Sequence, residues 1–260
     1  MQLPDYHIHT ARCGHAGGEM HEYVEKALEL GLREIGFADH IPMYWLEENE
    51  RDPSLAMSPE RLPEYVAEVE RLRSYYRGIT IKLGIEVDFI PGYEDEARRV
   101  LDAYPFDYVL GSVHYIDGWG FDNPAYIEEY KNHDIDELYR KYFKLVQQAA
   151  RSGLFNVMAH PDLIKKFGYR PKGDLRELYA ETAWVFAESG VCIEINTAGL
   201  RAPVEEIYPG LILLQECRKR GVPVTTGSDA HVPDQVGYRF DRALSLLTGT
   251  GYTKVLFFQA

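Results

Sequence analysis

Cysteine is scarce and scattered: the 260 residues hold three, Cys13, Cys192 and Cys217, with no C-x-x-C spacing. An odd, dispersed set argues against a disulfide framework and agrees with a reducing, cytoplasmic setting. Positive charge is also short. Lysine and arginine number 28 against 41 aspartates and glutamates, a formal net charge of -13. Such a surface repels polyanions on average and disfavours non-specific nucleic-acid binding. A small anionic substrate stays compatible with it if metal ions supply local positive charge. No apolar run approaches the length of a membrane span, and Met1-Gln2-Leu3-Pro4-Asp5 carries neither a basic region nor an apolar stretch, so no membrane segment or leader is predicted. No composition break or Gly/Ser linker divides the chain. With 45% hydrophobic residues, it is expected to build one large core as a single domain over 1–260.

What is present is an alternation of strand and helix signals. Strands are predicted over 3–8, 34–38, 79–87, 108–113, 156–159, 191–195 and 223–226, with a further terminal strand over 254–258. Helices are predicted over 19–30, closed by Gly31; 58–76, with Ser58 as cap and Pro59 at the first position; 94–101; 134–153; 174–190; 211–220, closed by Gly221; and 241–247. Asp134 with Glu137, and Asp174 with Glu177, match the capping-box pattern. Residues 39–57 read as a long irregular loop. Strands alternating with helices imply parallel pairing and right-handed crossovers. Seven such units predict an α/β fold, a TIM-like (β/α) barrel of seven strands, with its active site at the carboxyl ends of the strands.

Seven of the nine histidines lie at or just beyond those ends: His7, His9, His15, His40, His114, His160 and His231. Glu86 and Asp229 occupy equivalent places. His7-Ile8-His9 puts two imidazoles on one side of a strand, where one metal can accept both, and Asp229-Ala230-His231 repeats the spacing with a carboxylate. Glu86 interrupts the apolar run Leu83-Gly84-Ile85-Glu86-Val87, so its charge requires a metal or an ion-pair partner such as an arginine. Taken singly, a histidine such as His114 or His160 reads more often as a hydrogen-bonded core or surface residue. Together they predict a multi-metal hydrolytic centre. Cys13, between His9 and His15, reads as a bystander loop thiol, and His21 and His133 as solvated surface residues.

These motifs resemble those of the PHP family, the polymerase and histidinol-phosphatase superfamily. Its opening D-x-H-x-H-T is present as Asp5-Tyr6-His7-Ile8-His9-Thr10 and its closing S-D-A-H as Ser228-Asp229-Ala230-His231. His15, His40, Glu86, His114 and His160 follow in order between them. Within the family, 84–93 and Asn196-Thr197-Ala198-Gly199-Leu200-Arg201 look most like the PHP-type histidinol-phosphatases. The resemblance implies a distorted seven-stranded barrel holding three divalent ions (Zn, Mn or Fe). One ion would take His7, His9, Glu86 and Asp229. A second would share Glu86 and take His114 and His160, and the third His15, His40 and His231. It also implies a phosphate-binding role for Arg201.

The expected reaction is hydrolysis of L-histidinol phosphate to L-histidinol and phosphate, in histidine biosynthesis. A water shared by two ions across Glu86 would become hydroxide near neutral pH and attack phosphorus in line. Lys165 or Lys166 could add a cation, or stay a solvated surface charge. The acid for the leaving oxygen stays open between a metal-bound water, His231 and Asp229. The expected partner is a small phosphorylated metabolite, with no nucleic acid and no membrane, and with the chain a monomer or small homo-oligomer. Rival readings are another PHP phosphoesterase acting on nucleotides or oligonucleotides, an amidohydrolase, which bridges its metals with a carbamylated lysine, and a non-catalytic metal-binding regulatory domain.

Overall fold

The computed structural model describes residues 1–258. Seven parallel strands follow one another around a barrel: β1 (Asp5–Ile8), β2 (Glu34–Phe37), β3 (Thr80–Asp88), β4 (Tyr108–Ser112), β7 (Val157–Met158), β8 (Cys192–Asn196) and β9 (Val224–Gly227). β5 (Tyr115–Ile116) and β6 (Trp119–Gly120) form a small antiparallel hairpin just beyond β4. Closure falls to Ala230, just past β9. It pairs with Ile8, its N–H donating to the His7 carbonyl at 3.1 Å and its carbonyl accepting from His9 N–H at 2.9 Å. The chain ends carrying His7, His9, Asp229 and His231 are therefore stitched together by backbone.

Helices α1 (Met20–Glu29), α2 (Arg61–Tyr75), α3 (Glu94–Leu101), α4 (Ile135–Arg151), α5 (Arg176–Ser189), α6 (Leu211–Lys219) and α7 (Phe240–Gly249) connect the elements. Their apolar stripes, such as Tyr23, Val24 and Ala27 of α1, pack with Ile35, Phe37, Ile81 and Ile85 into the main apolar cluster. Among the described residues no helix is long and apolar enough to cross a membrane. A second cluster of Tyr6, Ala38, Tyr108, Leu110, Val157, Ala159 and Cys192 fills the barrel itself. Tyr108 spans that interior from β4, its hydroxyl donating to the Tyr6 carbonyl of β1 at 2.7 Å. β1 and β4 are not neighbours in the sheet, so the ring must cross the lumen. A filled lumen of this kind makes the barrel a core and confines chemistry to its rim.

The observed elements depart from the expected ones at four places. α2 starts at Arg61, not at Ser58. A helix begun at Pro59 would put Pro63 in its interior, where a missing N–H breaks the ladder; a start at Arg61 leaves Pro63 in the first turn, which needs none. Asp174 does not cap through residue 177. Its carboxylate accepts from Arg176 N–H at 2.9 Å, an Asx-type turn ahead of α5. The terminal strand does not form: β9 meets β1 only through the single bridge at Ala230, and 254–258 does not run along the edge this leaves. The segment makes one ladder bond, Leu256 N–H to the Val224 carbonyl at 2.7 Å, and Phe258 stacks on Tyr108 at 4.9 Å. The β5–β6 hairpin lies outside the expected elements; its strands, two residues each, are too short to show a period.

Gly36 and Gly84 make room for the Tyr108 ring: a Cβ at either would fall well inside van der Waals contact with it. Gly36→Ala is expected to lower stability by about 1–3 kcal/mol through overpacking, read as an earlier urea midpoint with an unchanged slope.

Candidate metal centre

The carboxyl ends of the strands bring the predicted ligands to one rim. Glu86 stands at its centre, near the end of β3, with a side chain 1% exposed. Its two oxygens face different histidines. Oε1 lies 3.0 Å from His160 Nε2 and 3.7 Å from His114 Nε2. Oε2 lies 3.3 Å from His7 Nε2, 3.6 Å from His9 Nε2 and 3.1 Å from His40 Nδ1. The partners of this buried charge are thus imidazoles and the Ser112 hydroxyl, which donates to Oε1; among the described residues no arginine pairs with it. Asp229 lies 3.2 Å from His9 Nε2, 3.9 Å from His7 Nε2 and 3.4 Å from His231 Nδ1. Potential ligand atoms gather in overlapping sets: His7, His9 and Glu86; His7, His160 and Asp229; His40, Glu86 and His114; His9, His40 and His231. His15 shares no such set among the described residues. Its ring lies 5.3 Å from that of His40 and 4.9 Å from that of His231, while its Nδ1 sits 2.9 Å from the Ser54 carbonyl.

Outside this shell, carboxylates hold the far nitrogens of three imidazoles. Glu194 of β8 lies 2.7 Å from His7 Nδ1, Asp39 lies 3.3 Å from His9 Nδ1, and Asp88 lies 2.8 Å from His114 Nδ1. The inner Nε2 atoms of His7 and His9 are buried and have no hydrogen-bond partner among the described residues. An imidazole gripped outside by a carboxylate and left bare inside is the arrangement of a metal ligand, its tautomer and ring orientation fixed. Burial opposes charge on Glu86 and Asp229, yet the histidines around them hold both carboxyls well below the usual range. Both are therefore ionised, as ligation requires. Burial and cationic neighbours hold His40 well below its ordinary value and lower His231 to about 3, which leaves both neutral. Two of the gathered residues have backbones in the left-handed region, His160 at φ 27° and Asp229 at φ 54°. Such conformations cost about 1–3 kcal/mol each and persist only where the surroundings impose them. For His160 one restraint is visible: its N–H donates to Glu194 Oε2 at 2.9 Å. The donor set fits divalent transition ions.

Three expected roles look different in place. Cys13 is not remote from the centre: its buried sulfur falls within one potential ligand set with His9 and Asp39. Lys165 offers no free cation. Its ammonium, 2% exposed, lies 2.8 Å from Asp162 and 3.3 Å from Glu206 and donates to the Ile207 carbonyl at 2.9 Å. Lys166 is paired with Asp122 at 3.0 Å. Arg201 does reach the rim. Its Nη2 donates to the Ser228 and Asp229 carbonyls at 3.0 and 2.9 Å, and its Nη1 is buried without a partner.

Comparison with known families decides the lineage. Residues 5–198 match the PHP domain model, and residues 214–239 match the PHP-associated model. The chain belongs to the PHP family. It is 44% identical to a probable histidinol-phosphatase of Deinococcus radiodurans over 98% of this chain and 96% of that one. It is 31% identical to the histidinol-phosphatase of Bacillus subtilis, covering 94% and 99%. Among solved structures, the histidinol phosphate phosphatase of Lactococcus lactis, complexed with Zn, L-histidinol and phosphate, superposes with a TM-score of 0.82 at 25% identity, covering 99% and 97%.

In this PHP chain the outer carboxylates are what motif reading missed. Glu194 offered the signal that singled out Glu86: a carboxylate in the apolar run Val191-Cys192-Ile193-Glu194-Ile195. Asp39 and Asp88 gave less, since an acid beside a histidine or a strand end is as often solvated. Gly227 shows how closely the Glu194–His7 pair is fitted, because a Cβ there would strike both side chains. Glu194→Gln, which keeps the shape and removes the charge, is expected to weaken metal retention by about 10–100-fold, measured as ion content after dialysis against graded chelator.

Proposed function

We propose that this single barrel hydrolyses L-histidinol phosphate to L-histidinol and phosphate, as its relatives' names indicate. The observation that carries the reading is the pairing of a metal-ligand rim with an oriented, unsaturated guanidinium, Arg201 Nη1, beside Asp229. The residues would hold three divalent ions, with Zn, Mn and Fe all suited to imidazole and carboxylate. His7, His9, Glu86 and Asp229 would hold one, Glu86, His114 and His160 a second, and His15, His40 and His231 the third. Glu86 turns Oε1 toward His114 and His160 and Oε2 toward His7, His9 and His40, a split that supports the sharing of that carboxylate. His15 rests on its ring contacts alone.

Bound divalent ions would supply Lewis acidity, offsetting phosphoryl charge and lowering the pKa of water toward neutrality. The protein supplies placement. Glu86 holds the two halves of the histidine set at a fixed separation. Arg201, pinned through Nη2, presents Nη1 to a phosphoryl oxygen with little side-chain freedom left to lose. Asn196 Nδ2, 3.3 Å from Asp229 Oδ2, keeps that carboxylate turned to the histidines. The filled lumen below excludes water from the far side. The substrate is then a small phosphorylated metabolite whose phosphate enters the rim and whose amine and imidazole stay toward the loops. Three free, buried cysteines agree with a cytoplasmic setting.

Arg201→Ala is expected to lower kcat/KM for histidinol phosphate by roughly a hundredfold or more, about 3 kcal/mol of transition-state binding, with metal content unchanged. Steady-state kinetics with histidinol phosphate, nucleoside monophosphates and an aryl phosphate check both halves. Loss of metal in the variant moves Arg201 to site assembly, and a wild-type preference for nucleotides overturns the substrate while leaving the metal centre.

A further inference from the structure

Beyond β8 the chain makes a short excursion and returns. Asn196 and Tyr208 pair in antiparallel fashion, Asn196 N–H donating to the Tyr208 carbonyl at 2.7 Å and Tyr208 N–H to the Asn196 carbonyl at 3.0 Å. The excursion between them carries Arg201, so the bridge fixes Tyr208 and Arg201 in one frame. Asn196 is also the residue that steadies Asp229. The segment holds three buried polar atoms with no hydrogen-bond partner among the described residues: Thr197 Oγ1, Arg201 Nη1 and Tyr208 Oη.

Tyr208 is the least expected of these. Its side chain is 1% exposed, and a phenol buried to that degree normally finds a partner. The surroundings hold it to one pose. Its ring meets the edge of His160, with centroids 6.5 Å apart. The Lys165 ammonium sits 5.3 Å from the ring centroid. On the remaining side lies Gly199, where a Cβ would come within 2.9 Å of the ring. Gly199 thus admits the ring, and Lys165, already paired with two carboxylates, packs on it. Burial first, and then the nearby carboxylates Asp162, Asp229 and Asp122, push the Tyr208 phenol up. An unpartnered hydroxyl, on a ring that meets a candidate metal ligand and in the same excursion as an unpartnered guanidinium nitrogen, costs stability unless something arrives to accept its proton.

We propose that Tyr208 is a catalytic residue of this site, its hydroxyl donating a hydrogen bond to a non-bridging phosphoryl oxygen alongside Arg201 Nη1. This rests on the phosphatase reading above. The two donors differ in what they bring. The guanidinium contributes charge, and the phenol contributes a directed neutral donor that needs no counter-ion when the site is empty.

The test is Tyr208→Phe, which deletes one oxygen and keeps the ring that Gly199, His160 and Lys165 pack against. In the metal-loaded protein, kcat/KM is expected to fall about 10-fold for histidinol phosphate and by the same factor for an aryl phosphate. Competitive inhibition by inorganic phosphate should weaken in parallel. Metal content should hold, and Tm should stay level or rise, because removing an unpaired buried hydroxyl relieves its desolvation cost. Unchanged kinetics and unchanged phosphate inhibition would overturn the proposal and leave Tyr208 as packing. A loss confined to histidinol phosphate would also overturn it, placing the hydroxyl on the alcohol portion. Loss of metal would overturn it too, making Tyr208 a support of His160. If the wild type cleaves the aryl phosphate but not histidinol phosphate, the substrate reading fails while the aryl phosphate and inorganic phosphate arms still decide Tyr208.

Discussion

A carboxylate buried to 1% exposure at the end of an apolar strand is the constraint around which this barrel is built. Glu86 could not remain ionised there without compensation, since an isolated buried charge neutralises itself or destabilises the fold. Five imidazoles lie within 3.7 Å of its two oxygens. Those imidazoles could not all carry protons at such close quarters, and two of them present bare nitrogens inward. Divalent cations would resolve both problems, because they would neutralise the carboxylates and occupy the bare nitrogens. The interior of the rim is a poor stability element by itself and a good ligand set.

The supporting layers follow from that need. Glu194, Asp39 and Asp88 fix three histidines from outside. Asp5, at the start of the D-x-H-x-H motif, does not face the cluster. It accepts from Ser228 N–H at 2.8 Å, Ser228 hydroxyl at 2.6 Å and Gly237 N–H at 2.8 Å. The first residue of the opening motif therefore anchors the closing motif, and the two ends of the ligand set are locked where the barrel closes. Small residues at Gly199 and Gly227 let side chains approach that any Cβ would displace.

Much of this is legible in the sequence because strand periodicity converts into direction. His7 with His9, and Asp229 with His231, share a spacing that puts both members on one side, and the βα alternation puts every strand end at one rim. The less legible parts depend on contacts between distant segments. Asp39 and Asp88 look solvated until the barrel brings His9 and His114 against them. Tyr208 sits in an irregular stretch with no periodicity, and only the bridge to Asn196 gives it a place. Lys165 reads as a free cation in sequence, because nothing there marks Asp162, three residues before it, or the distant Glu206 as its partners. The start of α2 at Arg61 is a different case, since its reason, Pro63, stands in the sequence itself.

The central claim is that Glu86 joins two cation sites, one oxygen to each. Anomalous X-ray diffraction from crystals of the metal-loaded protein, collected at the absorption edge of the ion present, tests it directly. The account predicts one peak bonded to Glu86 Oε1 beside His114 and His160, and another bonded to Oε2 beside His7 and His9. A fully loaded crystal in which Glu86 touches a single ion, or stays hydrogen-bonded to histidines with no ion between, would contradict it.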